Sequence, residues 1–124
     1  MSYVLFDIGG TKTRVAVSED LKTFSEPQKF ATAPTMKAGV KDMVAAVADM
    51  TDKPIRGIAG GIRGALNQDK TMMVQDAGGA LTGWEEQPLA KTLHQALGAK
   101  VYLENDAAIV GLGEAHFGAG DPSQ

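Results

Sequence analysis

At 124 residues, with 44% apolar residues and no cysteine, the chain is long enough for one domain that buries a core without disulfides or thiolate-bound metal. A formal net charge of -3, spread over scattered acids and lysines, argues against a nucleic-acid-binding module, which carries a basic face. Met1 leads straight into a short apolar run with no basic region before it, so neither a signal peptide nor a membrane span is expected, and the composition suits the cytoplasm.

Tyr3 to Ile8 is apolar apart from Asp7 and reads as a buried strand that ends in the glycine turn Gly9-Gly10. Thr13 to Val17 alternates and gives a second strand, paired through that turn. Gln28 to Thr32 is a weaker third. Pro34-Thr35 opens a helix over 36–51, where Val40, Met43, Val44, Val47 and Met50 follow the helical period, and Lys53-Pro54 ends it. Ile55 to Ala59 is a fourth strand that runs into a glycine pair, Gly60-Gly61. Asn67-Gln68-Asp69-Lys70 is the turn of a hairpin excursion between Ala65-Leu66 and Met72 to Val74. Pro88 suits the first turn of a second helix, with Leu89, Leu93 and Leu97 as its buried stripe and Gly98 as its C-terminal cap. Val101 to Leu103 is a fifth strand, and a last helix opens near Asn105-Asp106 with small and apolar residues on nearly every side.

The order is β-β-β-α-β-α-β-α, with the hairpin as an excursion. The first strands can pair by hairpins, and the later ones need helical crossovers and add as parallel neighbours. The expected fold is therefore α/β: a five-stranded mixed sheet flanked by helices, the ribonuclease H-like layout.

Asp7-Ile8-Gly9-Gly10-Thr11-Lys12-Thr13 places an acid at a strand end before a two-glycine turn and a hydroxyl. Two readings fit these residues locally. A plain hairpin with a glycine turn is common. Alternatively, the backbone N–H groups form a nest for phosphate while Asp7 holds a hydrated Mg²⁺. Near the start of a chain, this motif resembles the first phosphate-binding motif of the ROK family of sugar kinases and regulators, within the hexokinase/actin/Hsp70 superfamily. The resemblance implies that Gly9, Gly10, Thr11 and Lys12 embrace the phosphates of ATP and that Asp7 acts through magnesium.

Glu104-Asn105-Asp106-Ala107 stands where a parallel strand gives way to a helix, and open α/β sheets bind ligands at such strand ends. Asn105 and Asp106 could equally serve only as helix caps. The run Val101 to Ala108, followed by Gly113-Glu114-Ala115-His116-Phe117-Gly118-Ala119-Gly120, is similar to the ROK segment that carries the catalytic base. That similarity implies that Asp106 is the base facing the sugar hydroxyl and that Asn105 and Asp106 bind the sugar.

Gly57 to Arg63 occupies the place of a ROK strand-loop that usually reads Ala-Pro-Gly-Pro, here without prolines. Some N-acetylmannosamine kinases of the family carry Gly-Gly-Arg there, which makes Gly61 and Arg63 candidate sugar contacts; a surface position for Arg63 in the hairpin fits as well. Leu81-Thr82-Gly83-Trp84 resembles the family's Asn-Leu-Pro-Gly-Trp with Ala80 and Thr82 as departures, and Trp84 is expected to pack rather than bind. His94 and His116 lack metal-ligand spacing and read as structural, and the methionines read as core filler.

The resemblance covers the chain as the first half of a ROK protein: 1–118 as the N-terminal lobe, 119–124 as a tail or the start of a hinge. The second lobe's phosphate loop, adenosine pocket and zinc site have no counterpart here, so no zinc site is expected, and Met1 leaves no room for the DNA-binding helices of the ROK repressors. The implied activity is transfer of the γ-phosphoryl group of ATP, with Mg²⁺, to a hexose or N-acetylhexosamine by the whole protein, with the isolated lobe inactive. The implied partners are the sugar, ATP, the missing lobe and, in the whole protein, a second copy. A non-catalytic sugar-binding or regulatory module of the same family is the other class. Glucose, mannose, fructose and N-acetylated hexosamines all remain open as substrates.

Overall fold

The computed structural model describes residues 2–20, 23–75, 79 and 81–105, with Asn105 described by its backbone. Strand β1 (Ser2–Ile8) pairs antiparallel with β2 (Lys12–Ser18), and β3 (Gln28–Ala31) pairs antiparallel with β2. Helix α1 (Met36–Met50) crosses to β4 (Ile55–Ile62), which lies parallel to β1. A short antiparallel hairpin, β5 (Ala65–Leu66) and β6 (Met73–Gln75), follows. Helix α2 (Leu89–Leu97) then leads to β7 (Val101–Asn105), parallel to β4. The five-stranded mixed sheet has the order β3-β2-β1-β4-β7.

The period-2 pattern of β1 sorts its side chains between two faces. Val4, Phe6 and Ile8 join Val15, Ile58, Ile62 and Leu103 in the main core, together with the apolar stripes of the two helices. Leu5 and Ala59 form a second cluster on the opposite face, with half-buried Phe24 and Tyr102 beside them. Both faces of the central strands are thus buried, as expected for strands whose parallel neighbours need crossovers.

Thr35 begins α1 in an extended conformation, and its Oγ1 accepts a hydrogen bond from the N–H of Ala38 at 3.3 Å. Val40, Met43 and Val47 form the buried stripe, and the chain leaves the helix at Thr51 in extended backbone. We expect Thr35→Ala to cost about 1 kcal/mol, because the first turn loses an acceptor for an otherwise unpaired N–H. In urea the unfolding midpoint should fall with the slope unchanged. Pro88 immediately precedes α2 instead of standing in its first turn, and Gly98 closes the helix at φ 77°, in the left-handed region where glycine bears no Cβ penalty.

Two strands are longer than their local sequence suggests. Gly60 and Gly61 belong to β4, which continues to Ile62 with ladders on both sides. The glycine pair is not a turn: the Phe6 ring lies over Gly60, and a Cβ there would fall 2.2 Å from three ring carbons. Glycine therefore makes room for the ring. Asn105 likewise is the last residue of β7, opposite Ile62, and not the first residue of a helix. The expected final helix, His116 and the tail 119–124 lie outside the described residues.

Candidate functional site

The three parallel strands β1, β4 and β7 run out on one edge of the sheet. Near that edge the register forms a row across the strands: Arg14 opposite Asp7, Asp7 opposite Gly61, and Gly61 opposite Glu104. Directly opposed residues share a face, so the side chains of Arg14, Asp7 and Glu104 stand on the same side. Adjacent strands are about 4.8 Å apart, which puts β1 and β7 about 10 Å from each other. Gly61 is buried between them and contributes no side chain. Asp7 is half-buried.

Just beyond Ile8 the chain turns through Gly9, Gly10 and Thr11. The N–H of Gly9 donates to the carbonyl of Lys12 at 2.9 Å, and the N–H of Thr32 donates to the carbonyl of Thr11 at 3.0 Å. The Thr32 hydroxyl donates to the carbonyl of Gly9 at 2.9 Å. A Cβ on Gly9 would lie 3.1 Å from the Lys12 carbonyl oxygen, so a side chain would crowd the turn. The N–H groups of Gly10 and Thr11 take part in no hydrogen bond among the described residues. Thr11 and Lys12 are exposed beside them.

This donor set fits a phosphate: successive free backbone N–H groups, a hydroxyl and an ammonium, with a carboxylate at the adjoining strand end. It also fits Mg²⁺ held largely through water, which takes only one or two carboxylates. Among the described residues no group of three or more His, Cys, Asp or Glu side chains could hold a metal ion by itself.

The other predicted positions divide into those near this edge and those away from it. Arg63 directly follows β4, with its side chain exposed, and its N–H donates to the Ile8 carbonyl at 3.1 Å. That bond brings Arg63 to the same edge as the glycine turn. Asn105 ends β7 there too, and Asp106 lies outside the described residues. Trp84 is only 1% exposed, and its indole N–H donates to the Ala33 carbonyl at 2.8 Å, so it packs and ties its loop to the start of α1. His94 is an exposed residue of α2 whose Nδ1 lies 2.9 Å from the Ala99 carbonyl, a local contact at the helix end.

Sequence reasoning put Lys70 in the hairpin turn and Glu104 at the end of the last strand but did not foresee that they meet. Their side chains pair at 3.1 Å, which ties the tip of the β5–β6 hairpin to β7 one residue before Asn105. Asn67 shapes that tip by accepting from the N–H groups of Thr71 and Met72 at 2.8 and 3.1 Å. Both partners of the ion pair are partly exposed, so the contact adds little stability. No local signal joins residues 34 apart in sequence; only the parallel placement of β7 beside β4 does.

A β3-β2-β1-β4-β7 sheet with a glycine turn at the end of its central antiparallel hairpin defines a ribonuclease H-like domain of the actin-like ATPase type. A model of the ROK family matches residues 3–124, and the chain belongs to that family. It is 32% identical over 119 residues to the glucokinase of Thermotoga maritima, a match that covers 92% of this chain and 36% of that protein. Among solved structures, the ROK family glucokinase of Streptomyces griseus, in complex with glucose and AMPPNP, superposes with a TM-score of 0.74 at 28% identity, covering 98% of this chain and 38% of that one. A candidate N-acetylmannosamine kinase of Listeria monocytogenes superposes with a TM-score of 0.69 at 26% identity, over 98% of this chain and 41% of that one. The chain thus spans little more than a third of the length of these relatives.

Proposed function

We propose that residues 1–118 are the N-terminal lobe of an ATP-dependent sugar kinase, with 119–124 leading toward a second lobe. The observation that carries the reading is the glycine turn after β1. Its Gly10 and Thr11 N–H groups are unpaired among the described residues, and it shares an edge with the end of β7. Gly9, Gly10, Thr11 and Lys12 hold the phosphates, and Asp7 holds magnesium through water. Magnesium held there would supply positive charge against the phosphate oxygens. Asn105 and Asp106, continuing from β7, orient the sugar hydroxyl, and Asp106 accepts its proton. Arg63, which follows β4 at the same edge, and Gly61 within that strand contact the sugar; the hydrogen bond from the Arg63 N–H to the Ile8 carbonyl beside the glycine turn supports this.

Support comes from relatives above 25% identity that cover nearly all of this chain: a glucokinase, a glucokinase solved in complex with glucose and AMPPNP, and a candidate N-acetylmannosamine kinase. Glucose and N-acetylmannosamine are therefore the first sugars to test. The whole protein carrying this chain should consume ATP in the presence of one of a hexose and N-acetylhexosamine panel. The 124-residue chain alone should show no turnover, because half of the phosphate clamp is supplied from elsewhere. A coupled ADP-release assay decides. ADP release by the whole protein that is independent of every sugar, or robust turnover by the 124-residue chain, would reject the reading.

A further inference from the structure

The glycine turn is held from below by a chain of two hydroxyls. Thr13 is 2% exposed, and its Oγ1 lies 2.9 Å from Oγ1 of Thr32. Thr32 Oγ1 lies 2.9 Å from the Gly9 carbonyl oxygen. A hydroxyl has one hydrogen, and a carbonyl can only accept. Thr32 therefore gives its hydrogen to Gly9, which obliges Thr13 to donate to Thr32. The chain runs in one direction, from Thr13 to Thr32 to Gly9, and each bond polarises the next.

Thr32 also grips the turn through its backbone, donating its N–H to the Thr11 carbonyl. One residue thus binds the carbonyls on both sides of Gly10. The Gly9 carbonyl shares its peptide plane with the Gly10 N–H, and the Thr11 carbonyl shares its plane with the Lys12 N–H. Thr32 thus holds the planes on both sides of the Gly10–Thr11 peptide, and the N–H groups of Gly10 and Thr11 take part in no hydrogen bond among the described residues. Thr32 follows β3, which pairs among the described residues with β2 alone, and it reaches the turn because Lys12 stands opposite Ala31.

We infer that Thr32 is a positioning residue for nucleotide phosphate binding, acting through Gly9 and Thr11 without touching the nucleotide. This inference rests on the phosphate-binding reading of the glycine turn. A turn that is correctly formed only part of the time lowers the apparent affinity for its ligand by that fraction.

The test uses the whole protein with Thr32→Val, which removes the hydroxyl at nearly constant shape, and Thr32→Ser, which keeps it. Thr32→Val should raise KM for ATP about tenfold, the size expected when a half-buried carbonyl loses its donor. The sugar KM and kcat at saturating ATP should stay within about twofold, since neither depends on the resting population of the turn. Thr32→Ser should restore most of the ATP affinity. An unchanged ATP KM in Thr32→Val, a Thr32→Ser as impaired as Thr32→Val, or both KM values rising together would overturn the inference. Amide exchange on the protein without ligand separates this outcome from failure of the kinase reading. If the parent phosphorylates no sugar, faster exchange at Gly9 in Thr32→Val still supports the brace, and unchanged exchange overturns it.

Discussion

We expect replacement of Asp106 with asparagine in the whole protein to lower kcat by about 10²–10⁴-fold while sugar affinity and melting temperature change little. The two side chains have the same shape, and either can accept from a helix N–H, so a cap at this position would survive the change. An amide cannot take the hydroxyl proton. The size of the loss reports how early that proton moves. Phosphoryl transfer proceeds through a loose transition state in which the nucleophile keeps its proton until late, so a value toward the lower end would mark orientation as the main role of Asp106. The position of β7 supports the expectation, because its last residue, Asn105, ends on the edge that carries the glycine turn. Steady-state kinetics beside a thermal melt settle it. A variant that melts early yet turns over normally would make Asp106 a cap and nothing more.

The second large effect is on folding. Gly60→Ala adds one methyl group, 2.2 Å from three ring carbons of Phe6. Phe6 is fully buried in the main core between the sheet and the helices, so the ring cannot swing into solvent. The opposing gain is the reduced freedom of alanine in the unfolded chain, at most about 1 kcal/mol. Overpacking dominates, and we expect a net loss of about 3 kcal/mol or more. Phe6→Leu in the same chain makes room and should recover part of the loss, so the double variant is more stable than the sum of the single changes predicts. Denaturant unfolding of the four proteins in the cycle gives the coupling directly. A Gly60→Ala protein within about 0.5 kcal/mol of the parent would show that glycine is not required beneath the ring.

Both predictions concern strand ends, and that is where sequence and structure part company. The alternation of Val4, Phe6 and Ile8, the stripe of Val40, Met43 and Val47, the cap at Thr35 and the stop at Gly98 are local patterns, each held within one element, and the elements formed where those patterns lie. The acid, the glycine turn and their place after the first strand were legible for the same reason: strand, turn and strand are contiguous. The resemblance to ROK proteins added roles that no periodicity contains.

Gly60-Gly61 reads locally as a break, because glycine is a weak strand former. Tertiary structure made it strand, since β1 and β7 offer ladders on both sides and Phe6 claims the volume a side chain would fill. Asn105 suits a helix cap by its chemistry, yet pairing with β4 keeps it in β7. The Lys70–Glu104 pair and the Thr13–Thr32–Gly9 chain join residues between 19 and 34 positions apart. Composition and spacing determined which segments were strands and helices and where an acid met a glycine turn. Which strand ends stood together, and which hydroxyl held the turn in shape, depended on sheet order, because hydrogen bonds between distant segments leave no period in the sequence of either one.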